Sequence, residues 1–179
     1  MYVAHVGDTR VVLGREECAG SSSNVQAIAL TQDHAAEEES EKSRIWKAGG
    51  RVLRRRNHSG EEIGPARVYH SEIRLPGLAV SRALGDKVAK TLGVVSDPDI
   101  FHRRLDPSDK YLIASSDGVW SVLSNQHVVD LVRGFTDPQA ASEALTQRAV
   151  EIHDELYRSD NIAVGSRLLR CPEKKPTGD

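Results

Sequence analysis

Apolar and β-branched residues concentrate at 2–6 (YVAHV) and 10–14 (RVVLG), predicting two short strands. Gly7-Asp8 between them has the chemistry of a tight hairpin turn. The serine-rich stretch 16–26 reads as a loop, and 27–31 (AIALT) as a third strand. From 36 to 48 the charges run acidic first and basic last, with Ile45 and Ala48 at helical spacing. That order complements a helix dipole, and Gly49-Gly50 ends the helix. Residues 51–77 carry arginines, glycines and prolines with little periodicity, predicting a strand followed by an irregular excursion. Two further strands, 99–105 and 110–115, flank the turn Asp106-Pro107-Ser108-Asp109. Ser124 caps a helix to about 134 with Val128, Val129, Leu131 and Val132 inward. Asp137-Pro138 opens a longer helix to about 157, and 161–169 closes the fold as a strand. Paired strands, then helices, then a closing strand predict an α+β domain over 1–170, followed by a loose tail at 171–179.

Composition narrows the partners. The chain has 179 residues, 39% hydrophobic and 28% charged, which suits one globular domain with a sizeable core. A net charge of −2 argues against nucleic acid or an anionic membrane as partner. No apolar stretch approaches the length of a membrane span, and the N-terminus has no signal-peptide pattern. Cys18 and Cys171 lie far apart and suggest neither a disulfide framework nor a zinc site, so a cytoplasmic or nuclear setting is expected. Trp46 and Trp120 are expected to pack rather than to stack on bases. The run Arg54-Arg55-Arg56 reads either as a recognition element for an acidic or phosphorylated partner or as solvated charge, and the near-neutral balance favours solvation.

The chemistry concentrates in 111–123 (YLIASSDGVWSVL), where an apolar strand runs into Asp117-Gly118. A carboxylate at a strand end points out of the sheet, and the glycine after it permits close approach. Asp117 also reads as a turn aspartate accepting backbone hydrogen bonds. Asp160, ahead of Asn161-Ile162-Ala163-Val164, and Asp8 are carboxylates in comparable positions. If the three converge, they suit a hard divalent cation such as Mg²⁺ or Mn²⁺.

Six motifs occur in order: VGDTR around Asp8, TQDH at 31–34, RIWKAGGRV from Arg44, LAVSRALGD at 78–86, SDGVW at 116–120 and DNIAV at 160–164. Together they resemble the PPM (type 2C) metal-dependent protein serine/threonine phosphatases, in a plant- or protist-like form, over roughly residues 2–168. The resemblance implies an antiparallel β-sandwich flanked by helices, with a Mg²⁺/Mn²⁺ site of two cations and a weaker third. It implies that Asp117 and Asp160 are ligands and that Asp8 shares the third cation with Asp117. It also implies hydrolysis of phosphoserine and phosphothreonine by a metal-activated water, with no side-chain nucleophile. The stretch from about 50 to 77 corresponds to the flap that shapes substrate choice, and Arg82 and Asp86 to support behind the ligands.

Two departures stand out. The family segment with the Asp-Gly-His-Gly-Gly motif, which bridges both metals, and the phosphate-gripping arginine have no counterpart here. The chain is therefore expected to be the N-terminally truncated, C-terminal part of the domain. Ser121 stands where the family commonly has an acidic residue, which weakens the third-metal position. The expected partner is a phosphorylated protein, with self-association or the missing segment covering an open sheet edge. The alternative function is a pseudophosphatase or regulatory module that binds phosphoproteins without hydrolysis.

Overall fold

The computed structural model describes residues 1–17, 24–156 and 160–169. Cys18, Cys171 and the expected tail lie outside the described residues. In chain order the elements are β1 (Tyr2–His5), β2 (Arg10–Glu17), β3 (Asn24–Ala29), α1 (Glu39–Lys47), β4 (Gly50–Arg56), β5 (Glu62–His70) and β6 (Pro76–Leu78). They continue as α2 (Lys87–Lys90), β7 (Asp99–His102), β8 (Asp109–Ser115), α3 (Asp117–Trp120), α4 (Asn125–Val132), α5 (Pro138–Glu155) and β9 (Val164–Leu168). The class is α+β, as the order of elements predicts.

The chain forms two compact units, one of Met1–Val3, Thr9–Thr31 and Phe101–Asp179 and one of Ala4–Asp8 and Gln32–Ile100. The first is built on a four-stranded sheet in the order β3-β2-β8-β9, antiparallel throughout. Val12 and Ile113 on the two central strands are fully buried against Val119, Val128, Val129 and Leu145. In α5, buried Ala141, Leu145, Ala149 and His153 recur every four residues, which keeps them on one face. Local signals set the helix starts. The Ser124 hydroxyl accepts from the His127 amide, and the Asp137 carboxylate accepts from the Ala140 amide ahead of Pro138.

The second unit carries a three-stranded antiparallel sheet, β4-β5-β6. Its smaller core joins Ile45 of α1 to Val68 of β5 and to Ala89, Leu92 and Val94. α1 stops at Gly49, whose φ of 84° a residue with a side chain rarely adopts.

Several expectations need correction. β1 pairs with β7 and β2 with β3 and β8, so Gly7-Asp8 does not close a hairpin. The predicted irregular excursion in 51–77 is instead a three-stranded meander, with register shifts between Leu53 and Arg55 and between Val68 and Tyr69. Its register pairs, such as Val52↔Val68, are set by long-range contact. The closing strand starts at Val164 rather than 161. Trp120 packs as expected, whereas Trp46 is 54% exposed, with the Lys42 ammonium 4.7 Å from its ring. No helix among the described residues is long and apolar enough to cross a membrane.

Candidate functional site

In the first unit, the end of β8 is fastened to the chain entering β9. The Ser115 hydroxyl donates to the Ala163 carbonyl at 2.6 Å, and the Ser116 amide donates to the same oxygen at 3.1 Å. The Ser116 hydroxyl donates to the Asn161 carbonyl and accepts from the Ala163 amide, both at 3.1 Å. Gly118 completes the contact, since a Cβ there would stand 2.6 Å from the Asn161 carbonyl oxygen. These bonds put the segments bearing Asp117 and Asp160 side by side at one end of the sheet. Asp117 opens the one-turn helix α3 and is half-buried. Asp160 is exposed and accepts from the Asn161 amide at 2.8 Å.

Two buried side chains behind this end hold its shape. His153 of α5 bonds through Nε2 to the Gly118 carbonyl at 2.7 Å, and Trp120 donates its indole N–H to the Ser115 carbonyl at 2.9 Å. The Arg10 guanidinium lies 5.3 Å from the Trp120 ring centroid and donates to Asn125 Oδ1 at 2.7 Å. The readable signal for His153 is its position four residues after Ala149 on the apolar stripe of α5.

Asp117 and Asp160 are hard oxygen donors of the kind Mg²⁺ and Mn²⁺ take. Among the described residues, no three His, Cys, Asp or Glu side chains group closely enough to hold a metal ion. By donor chemistry, Asp117 and Asp160 supply at most part of a coordination sphere. Ser121 follows α3 as its exposed C-cap, its amide bonded to the Asp117 carbonyl at 2.8 Å. Asp8 is half-buried at a bend after β1 and belongs to the second unit.

That unit has a polar centre of its own, around Glu41 of α1. Arg44 forks onto both carboxylate oxygens at 2.8 Å, and Arg82 reaches Oε1 through Nη2 at 2.8 Å. The Ser81 hydroxyl adds a short hydrogen bond to Oε2. Burial works against the Glu41 charge, but the hydrogen bonds from Arg44, Arg82 and Ser81 outweigh it and hold the carboxyl far below the usual range. Arg82 also donates to Asp99 Oδ1 at 2.7 Å. Asp99 stands 3.2 Å from His34 Nε2. His34 Nδ1 accepts from the Gly7 amide at 3.0 Å, and burial lowers the pKa of this imidazole. Asp86 caps α2, accepting from the Ala89 amide at 3.0 Å. Sequence reasoning singled out Arg44 and Arg82 and missed Glu41, whose partner lies 41 residues away. The readable part is its i,i+3 spacing from Arg44.

Residues 1–155 match the profile of the family described as Protein phosphatase 2C. The chain belongs to the protein phosphatase 2C family. Probable protein phosphatase 2C 73 of Arabidopsis thaliana is 38% identical over 167 residues, 92% of this chain and 43% of the relative. Probable protein phosphatase 2C 64 of Oryza sativa is 38% identical over 162 residues, 90% of this chain and 36% of the relative. Among solved structures, a serine-threonine phosphatase 2C from Toxoplasma gondii superposes with a TM-score of 0.79 at 25% identity. The match covers 94% of this chain and 54% of that one. The chain thus spans about two fifths of these curated relatives. Its antiparallel sheets and helices are those of the phosphatase 2C fold.

Proposed function

We propose that this phosphatase 2C chain contributes Asp117 and Asp160 as ligands to a Mg²⁺- or Mn²⁺-dependent site that hydrolyses phosphoserine and phosphothreonine in proteins. The observation that carries the reading is the fastening of Ser115–Gly118 to Asn161–Ala163, which brings two carboxylate-bearing segments to one sheet end. Divalent cations bound there would neutralise phosphoryl charge and acidify water. The chain's own residues hold and orient: Ser116 ties the two segments together, and His153 anchors the turn after Asp117. Within the second unit, Arg82 is held by Glu41 and Asp99, and Asp86 caps α2. Two carboxylates are too few for a two-cation site. A complete site needs further ligands and a group that grips the phosphate.

Calorimetric titration with Mn²⁺ tests the ligand assignment. Asp117→Asn removes a charge the cation needs and should weaken binding at least roughly tenfold. An unchanged isotherm overturns the assignment. With a phosphoserine peptide and Mn²⁺, the 179-residue chain alone should turn over poorly. A monodisperse monomer with robust, Asp117-dependent turnover would show that the site is complete within it.

A further inference from the structure

The four arginines of β4 divide between its two faces. The pairing of β4 with β5 shifts register between Leu53 and Arg55, but the extra residues are on β5. Alternation along β4 itself puts Arg54 and Arg56 on one face and Arg51, Leu53 and Arg55 on the other. The first pair is neutralised: Arg54 forms an ion pair with Glu37, and Arg56 one with Glu62 at 3.3 Å. The side chains of Arg51 and Arg55 are exposed, and their guanidinium groups make no hydrogen bond or ion pair with the described residues. Between them Leu53 is 47% exposed, and across the strand pair Ile63, opposite Arg55, is 46% exposed. Arg67, opposite Leu53, is half-buried and donates to the Gly77 carbonyl. The face therefore presents two exposed guanidinium groups without a carboxylate partner around an apolar step, on a chain whose net charge is −2.

We propose that this face of the β4–β5 hairpin is a docking surface for an acidic peptide segment carrying an apolar side chain. Carboxylates of the segment pair with Arg51 and Arg55, and its apolar residue covers Leu53 and Ile63. Planar guanidinium forks suit carboxylates in two-point contact, and apolar surface between them adds area that a free carboxylate would not use. That the segment belongs to a phosphoprotein substrate rests on the proposed phosphatase reading; the docking itself does not. A simpler role for the arginines is to keep β4, an edge strand of its sheet, from pairing with another chain. Charge of either pairing state serves that purpose, so it does not explain why one face is compensated and the other is not.

The test needs no metal. Fluorescence anisotropy in EDTA would compare the 179-residue chain with two double variants, Arg51→Ala/Arg55→Ala and Arg54→Ala/Arg56→Ala, using a labelled peptide of aspartates and glutamates around one leucine. Arg51→Ala/Arg55→Ala should weaken binding roughly tenfold, and Arg54→Ala/Arg56→Ala less than about twofold. Binding of the wild type should fall as salt is raised. Replacing the leucine of the peptide by serine should weaken binding roughly threefold. Equal losses in the two double variants, or no binding at low salt, overturn the proposal. So does an RNA oligonucleotide bound as tightly with the same arginine dependence. Aggregation of Arg51→Ala/Arg55→Ala with peptide binding retained assigns the arginines to edge protection and overturns it as well. Failure of Mn²⁺ binding would leave these outcomes untouched and count only against the phosphatase reading.

Discussion

The two units of this chain are held together by different means. The first buries a broad apolar face, where Val12, Ile113, Val128, Val129 and Leu145 are fully enclosed between sheet and helices. The second has a smaller apolar cluster around Ile45, Val68 and Val94, beside a carboxylate buried between two arginines. Apolar packing tolerates change of shape in small steps. A buried ion cluster does not, because removing one member strands the charges of the others. The contrast extends to the carboxylates. Glu41 is saturated by the Arg44 and Arg82 guanidinium groups and the Ser81 hydroxyl. Asp160 is exposed at a loop and keeps one oxygen clear of its neighbour's amide, the condition under which a carboxylate can meet a cation.

The largest expected effect comes from breaking the ion cluster. Glu41→Ala should destabilise the protein by about 3–5 kcal/mol, since Arg44 and Arg82 lose the charge that offsets their burial. Urea denaturation measures the loss. Hydrogen exchange should rise across 39–47 and 81–95 while 111–120 stays protected. A loss below about 1 kcal/mol would mean that water replaces the carboxylate and that the second unit does not depend on the cluster.

Acid should act on the same place with a smaller effect. The Glu41 carboxyl is depressed from its ordinary value of 4.5, so its contribution is present above that pH and lost as pH falls towards its folded value. His34, lowered from 6.5 by burial, works in the same direction: protons favour the unfolded chain as pH drops below 6.5. Urea midpoints at pH 7 and pH 4 should therefore differ more in the wild type than in Glu41→Gln. Equal differences would remove Glu41 from the acid response.

The smallest effect tests a local polar contact in the first unit. Asp137→Ala deletes the bond to the Ala140 amide, made at 2.9 Å, and should cost about 1 kcal/mol by urea denaturation. A loss as large as that of Glu41→Ala would erase the difference between the two units.

Features whose causes lie within a few residues were legible in the sequence. Ser124 and Asp137 announce their helices because a cap is a bond to an amide three residues on. The charge order in 36–48 and Gly49 mark α1 for the same reason. Asp117-Gly118 stands where β8 ends, as the change from apolar run to carboxylate and glycine predicts. Six motifs in order were enough to name the family. Pairing was not legible. Nothing local tells β1 that its partner is β7, nor 51–77 that it closes into three strands, because strand partners are chosen by burial over long separations. The bonds that bring Asp117 and Asp160 to one end cross 45 to 48 residues, and those from Ser81 and Arg82 to Glu41 cross 40 and 41. Side-chain type decided by itself which residues could carry charge or cap a helix. Only the tertiary structure decided which carboxylate is sealed by arginines and which stands exposed at a sheet end, since that depends on what the folded chain packs beside each one.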